Sequence, residues 1–190
     1  MSRKYNVYGI GNALVDIVTE VSEDFLSNHS VEKGIMTLVD EEKQDALSNS
    51  IDLTNCSKQC GGSAANTIIG VSQFGGSSYY ACKVAEDDMG KFFLNDLKGN
   101  GVETNLEEKQ LPEGITGKCL VMTTPDAART MNTFLGITTN FSVTELEEEI
   151  IADSEYVYIE GYLVTSETGL EALKETIRLA KKHHTKVALT

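Results

Sequence analysis

The stretch Gln59-Cys60-Gly61-Gly62-Ser63-Ala64-Ala65-Asn66 constrains this chain more than any other. Adjacent glycines permit backbone angles and close approaches that a side chain would forbid. After Ser63, apolar and small residues recur at helical spacing through Ala65, Ile68, Ile69 and Ser72. The stretch therefore reads as a loop feeding a helix N-terminus, where unpaired amides and the helix dipole meet hydroxyls or an anion. Asn66 stands one turn into that helix and offers both a donor and an acceptor. Taken alone, a glycine pair before an Ala-rich helix is a tight turn and nothing more, so the neighbouring segments decide.

Upstream, Tyr5, Val7, Tyr8 and Ile10 form a short β-rich run that predicts a first core strand. It leads into Gly9-Ile10-Gly11-Asn12-Ala13-Leu14-Val15-Asp16. This is not a dinucleotide fingerprint, because Leu14 replaces the third glycine and Asp16 interrupts the apolar continuation that its helix needs. Asn12 and Asp16 fall just past a strand end, where an open α/β sheet places its ligand. A carboxylate accepts two hydroxyl hydrogen bonds at once, so Asp16 suits a polyol such as a sugar or ribose. A second reading stands beside this one, with Asn12 a turn residue and Asp16 a solvated charge.

Strand and helix signals then alternate. Strands are predicted over 18–21, 35–39 and 78–84, and helices over 22–28, 41–49 and the segment after Asp87. Ser22, Asp40 and either Asp87 or Asp88 are the N-caps of those helices. Met89, Phe92, Phe93 and Leu97 give the last of them an apolar face. Threonine is dense from Thr116 to Thr139, and the helical period is absent there. Strands over 118–122 and 129–135 flank a turn at Pro125, which reads as a hairpin added to the core. Arg129, the one cation in that hairpin's second strand, is either a sheet-face charge or a group aimed at a phosphate. A capping box at Ser142 and Glu145 predicts a helix over 146–151. A buried strand over 156–159 ends in Glu160, an amphipathic helix covers 166–184, and a last strand starts at Lys186.

This alternation predicts an α/β fold with a mainly parallel sheet and flanking helices. Residues 1–14, 40–111 and 140–190 make the α/β core, and residues 15–39 and 112–139 make a small β lid. A net charge of -13 argues against nucleic acid or an anionic membrane surface as partner. No run approaches a membrane span and no apolar leader opens the chain, so a cytoplasmic protein with reduced thiols is expected. Cys56, Cys60, Cys82 and Cys119 lack the second close pair and the histidines of a zinc site, so no metal ligands are assigned.

Four stretches together resemble the ribokinase-like (PfkB-type) carbohydrate kinases, in the manner of the adenosine kinase branch. They are GIGNALVDI (9–17), CGGSAANTIIGVSQFGG (60–76), KVAEDDMGKFFLNDLKGNGV (83–102) and TPDAARTMNTFLG (124–136). They stand in the family's order and are specific in combination. The resemblance covers the N-terminal portion of such a kinase. It implies a ribokinase-like sandwich with a β-sheet lid, and ATP-dependent phosphorylation of a sugar or nucleoside hydroxyl. By the same resemblance, Asn12 and Asp16 hold substrate hydroxyls, and Gly61, Gly62 and Asn66 line the same pocket. Met36 shields the base or aglycone side. Arg129 is the catalytic candidate, reaching from the lid toward the transferred phosphate.

The chain departs from the family at one point. Such kinases carry a Gly-Ala-Gly-Asp segment in their C-terminal half, whose aspartate deprotonates the acceptor hydroxyl, and no Gly-x-Gly-Asp occurs in these 190 residues. ATP and Mg2+ are expected for the family, with the ATP site largely absent from this stretch and the sheet incomplete at the C-terminus. Phosphoryl transfer rests on positioning and charge stabilisation, so the stretch alone is expected to be inactive. It then reads as the substrate-binding part of a kinase, or as a non-catalytic sugar- or nucleoside-binding module, or as half of a split kinase. A ligand-free structural domain is the remaining reading. A sheet cut short leaves an open edge, which favours a homodimer or the missing C-terminal half as partner.

Overall fold

The computed structural model describes residues 3–52 and 55–190. Met1 and Ser2 of the stretch searched for a leader lie outside the described residues. Strand β1 (Tyr5–Ile10) runs parallel to β5 (Ser78–Ala81) on one side and β9 (Ser154–Ile159) on the other. β6 (Glu103–Thr104) and β10 (Lys186–Leu189) extend the sheet outward, giving the order β10-β9-β1-β5-β6, parallel throughout. All four residues of β5 are buried, as a parallel strand covered on both faces requires.

Alternate side chains of these strands supply two separate cores. On one face Tyr80 and Cys82 meet Ile68 of α3 (Ser63–Gln73) and Phe93 and Leu94 of α4 (Asp88–Gly99). On the other, Tyr8, Ile10, Tyr79 and Ile159 meet Ile151 of α5 (Glu148–Ala152) and Ala172 and Leu179 of α6 (Glu167–Lys182). α6 is bounded as its sequence demands. Ser166 accepts the Gly169 amide at 3.1 Å, Glu167 sits in the first turn, and Lys181 and Lys182 sit in the last.

The second sheet has the order β3-β8-β7-β2-β4. Its strands are β2 (Leu14–Glu20), β3 (Met36–Leu38), β4 (Ser57–Gly61), β7 (Gly117–Thr123) and β8 (Arg129–Phe134). β2 pairs parallel with β7 and antiparallel with β4, and β8 pairs antiparallel with β7. Val15, Ile17, Leu120 and Met122 point from this sheet into the same apolar cluster as α3 and α4. Leu26 of α1 (Glu23–Asn28) and Leu47 of α2 (Glu41–Asn49) join them. One face of the second sheet is therefore sealed, and the other faces outward.

Ser22 and Asp40 cap their helices as the sequence indicates, and of Asp87 and Asp88 it is Asp87 that caps α4; each accepts an amide one turn on. Three readings differ. The stretch read as a loop before α3 is strand as far as Gly61, because Leu14 to Val18 of β2 offer a ladder that sequence period cannot reveal. That strand lies within 40–111, yet it pairs in the second sheet and not the first. The capping box at Ser142 and Glu145 is real but closes a 3-10 turn, Val143–Glu145, and the α-helix starts only at Glu148.

Asp87 joins the two sheets. Its Oδ1 accepts the Gly90 amide (2.7 Å) and the Thr116 hydroxyl (2.6 Å), and its Oδ2 accepts the Thr116 amide (2.8 Å), one residue before β7. Asp87→Ala removes the α4 cap and this anchor together. It should cost about 3 kcal/mol of stability, read as a lower urea midpoint at unchanged slope.

Candidate active site

The pleat of the second sheet sets the site. Across its strands Gln59, Asp16, Cys119, Thr133 and Leu38 stand in one transverse row. Strand neighbours alternate faces, so this row points away from the core that takes Val15, Ile17 and Leu120. Next to the row lies another, with Val18, Val121, Met131 and Met36. Arg129 is further along β8 on the same face, opposite Thr123.

At the end of β2 the two sheets touch. Leu14 pairs with Gly61, and a β-carbon at Gly61 would land on the Asp16 carboxylate. Gly62 has φ +106°, and a β-carbon there would strike the Asn12 carbonyl oxygen. Glycine is required at both positions for different reasons, contact at one and contact plus backbone angle at the other. The Asn12 backbone is held on both sides: its amide donates to Glu160 Oε2 (2.8 Å), and the Tyr80 hydroxyl donates to its carbonyl (2.9 Å). The Thr138 hydroxyl donates to the Asn12 side-chain oxygen, Oδ1 (3.4 Å), and accepts the Ala13 amide (3.0 Å).

Burial acts on both carboxylates of the junction in the same direction. Burial pushes Asp16 from an ordinary 3.8 up to about 6, against the downward pull of Arg129. The Cys119 thiol beside it is pushed up to about 11 by burial, with the Thr133 hydroxyl donating to its Sγ at 3.3 Å. Glu160 is 3% exposed and is also raised by burial. Its carboxyl has Ser63 and Ala64 as hydrogen-bonding neighbours, so the α3 N-terminus is already met by a carboxylate. The anion anticipated at that helix start is this side chain.

Of the residues singled out in the sequence, the structure brings Asn12, Asp16, Gly61 and Gly62 together at the sheet junction. Arg129 is exposed, and its charge reaches Asp16. Met36 shares the open face but stands one row off, and Leu38 occupies the row of Asp16. Asn66 lies one turn down α3, exposed, and lines a different hollow with Asn6, Val71 and Phe74. Sequence reasoning missed Leu38, Cys119, Thr133 and Glu160 as site neighbours. Their positions depend on strand register, which sequence does not carry, although Glu160 did stand at a predicted strand end. Beside Leu38 and Thr133 opens a groove of about 450 Å³, lined also by Ile115, Leu135 and Ile137.

Among the described residues no three His, Cys, Asp or Glu side chains cluster to hold a metal, and Glu160 fills the one helix start at the junction. No helix of the described residues is long and apolar enough to cross a membrane.

Comparison with known proteins agrees with this architecture. Residues 29–190 match the description "pfkB family carbohydrate kinase". The guanosine-inosine kinase of Escherichia coli is 24% identical over 191 aligned positions, covering 97% of this chain and 44% of that protein. An adenosine kinase from Sinorhizobium meliloti superimposes with a TM-score of 0.89 at 33% identity, over 98% of this chain and 56% of its own. A probable sugar kinase from Rhizobium etli gives the same TM-score, 0.89, at 30% identity and the same coverage. The chain belongs to the pfkB family of carbohydrate kinases. It spans about half the length of these relatives.

Asp16 gives a test of the site's electrostatics. A carboxyl whose folded value is raised favours folding when protonated, and that contribution is lost as pH rises from about 4 to about 6. Asp16→Asn should therefore melt higher than the parent at pH 8 and match it below pH 4, as thermal unfolding across that range would record.

Proposed function

We propose that this chain is the acceptor-binding part of an ATP-dependent nucleoside kinase. The observation that carries the reading is the single row from Asp16 through Cys119 and Thr133 to Leu38. It joins a carboxylate suited to vicinal hydroxyls to an apolar groove of about 450 Å³. Two strand spacings, about 10 Å, separate the carboxylate from the groove wall. That separation suits a ribose at one end and a flat heteroaromatic base at the other. A bare sugar would leave the groove unused.

In this reading Asp16 accepts the ribose hydroxyls, and Gly61 and Gly62 let the sugar approach the backbone. Asn12 holds the floor of the pocket. Leu38 and Met36 cover the base, and Arg129 meets the phosphate as it arrives. The family's general base and most of its nucleotide site belong to the portion of the relatives that this stretch does not span. The stretch by itself then binds without turning over, in a cytoplasmic setting that keeps its four free thiols reduced.

The second reading is a sugar kinase, favoured by the 5-dehydro-2-deoxygluconokinase of Clostridium beijerinckii at 29% identity over 136 positions. Isothermal titration of the chain with inosine, guanosine, adenosine, ribose and fructose separates the two. A nucleoside should bind more tightly than its free sugar by about tenfold or more, and Asp16→Ala should abolish the heat. Equal affinity for ribose and its nucleoside overturns the nucleoside assignment. Transfer of the terminal phosphate of ATP to any of them by this chain overturns the view that it is inactive alone.

A further inference from the structure

Glu160 is the one ionisable carboxyl among the described residues that is buried outright, at 3% exposure, and the reading above gives it no task. It directly follows β9 beside β1, with its own amide donating to the Ile10 carbonyl at 3.0 Å. From there its carboxyl spans two other segments. Oε2 accepts the Asn12 amide at 2.8 Å, and Ser63 and Ala64 at the start of α3 are also hydrogen-bonded to it. Gly11 is shaped to this contact, since a β-carbon there would overlap Glu160 Oε2. A charged acceptor is worth more than a neutral one in such a place, and a helix start favours an anion.

We propose that Glu160 is a positioning residue for the hydroxyl-reading site, fastening the Asn12 loop to the first turn of α3. The two segments it joins are the two that build the junction. Two residues after Asn12, Leu14 pairs with Gly61, and Asp16 follows on the same strand against Gly61. Fixing Asn12 to Ser63 and Ala64 thus fixes the distance between the Asp16 carboxylate and the glycine turn. Glu160 acts through these groups and not on the ligand. Its burial keeps it from solvent, and its acceptor capacity is turned toward protein donors.

The inference rests on the reading of Asp16 as a polyol contact, and the experiment separates the two. Glu160→Gln keeps the shape but sets an amide group against donors that need an acceptor. Gly11→Ala keeps the carboxylate and pushes it off its place. Each is compared with the parent chain for inosine and ribose affinity, for amide exchange at Asn12 and Ala64, and for the titration midpoint of Asp16 by carbon NMR. Both variants should bind about tenfold more weakly and exchange faster at those amides but not in α6. Their Asp16 midpoint should fall from about 6 toward 3.8 as the loop loosens. A role confined to overall stability would leave that midpoint in place. Asp16→Asn should lose the ligand while its Asn12 amide stays protected. Parent-like exchange and an unmoved midpoint in both variants overturn the proposal, even if affinity falls. If the parent binds no nucleoside or sugar, the functional reading fails, and exchange and titration still decide the role of Glu160.

Discussion

Everything at the proposed site depends on the backbone at Gly61 and Gly62 lying closer to its neighbours than a side chain there would allow. At Gly61 the neighbour is a carboxylate, and at Gly62 it is a carbonyl oxygen. The first sheet reaches this point through Asn12 and Glu160, and the second through β2 and β4. Without glycine there, the Asp16 carboxylate and the Asn12 carbonyl would have to give way. The glycine pair is thus a statement about close packing at this junction before it is one about a ligand.

Much of this architecture was legible in the sequence because it is local. The caps at Ser22, Asp40 and Asp87 and the apolar stripe of α6 are encoded within a few residues of where they act. β4 was not legible, because Ser57, Lys58 and Gln59 carry no apolar alternation and their partner lies some forty residues earlier in β2. The site divided along the same line. Asn12, Asp16 and the glycines belong to recognisable motifs. Leu38, Cys119 and Thr133 acquire meaning only when three strands align. Met36 shows how small the margin is: a strand of alternating faces puts it beside the right residue on the right side, one row away.

The helix start at Ser63 illustrates how a general expectation is narrowed by a particular fold. Free amides and a dipole call for negative charge, and the chain supplies its own from the end of β9. A side chain held on a strand is a better organiser than a diffusible anion, since it ties a third segment to the other two.

The apolar cluster that seals the second sheet also contains the side chains of α3 and α4. A flap with its own separate core could melt and reclose while the body stayed intact. Here the covering sheet shares its core with one face of the sandwich, so the two are built to unfold as a cooperative unit. Occupancy at the outward face then stabilises the whole chain, by about 2.7 kcal/mol at a ligand concentration one hundred times Kd, and not the flap alone.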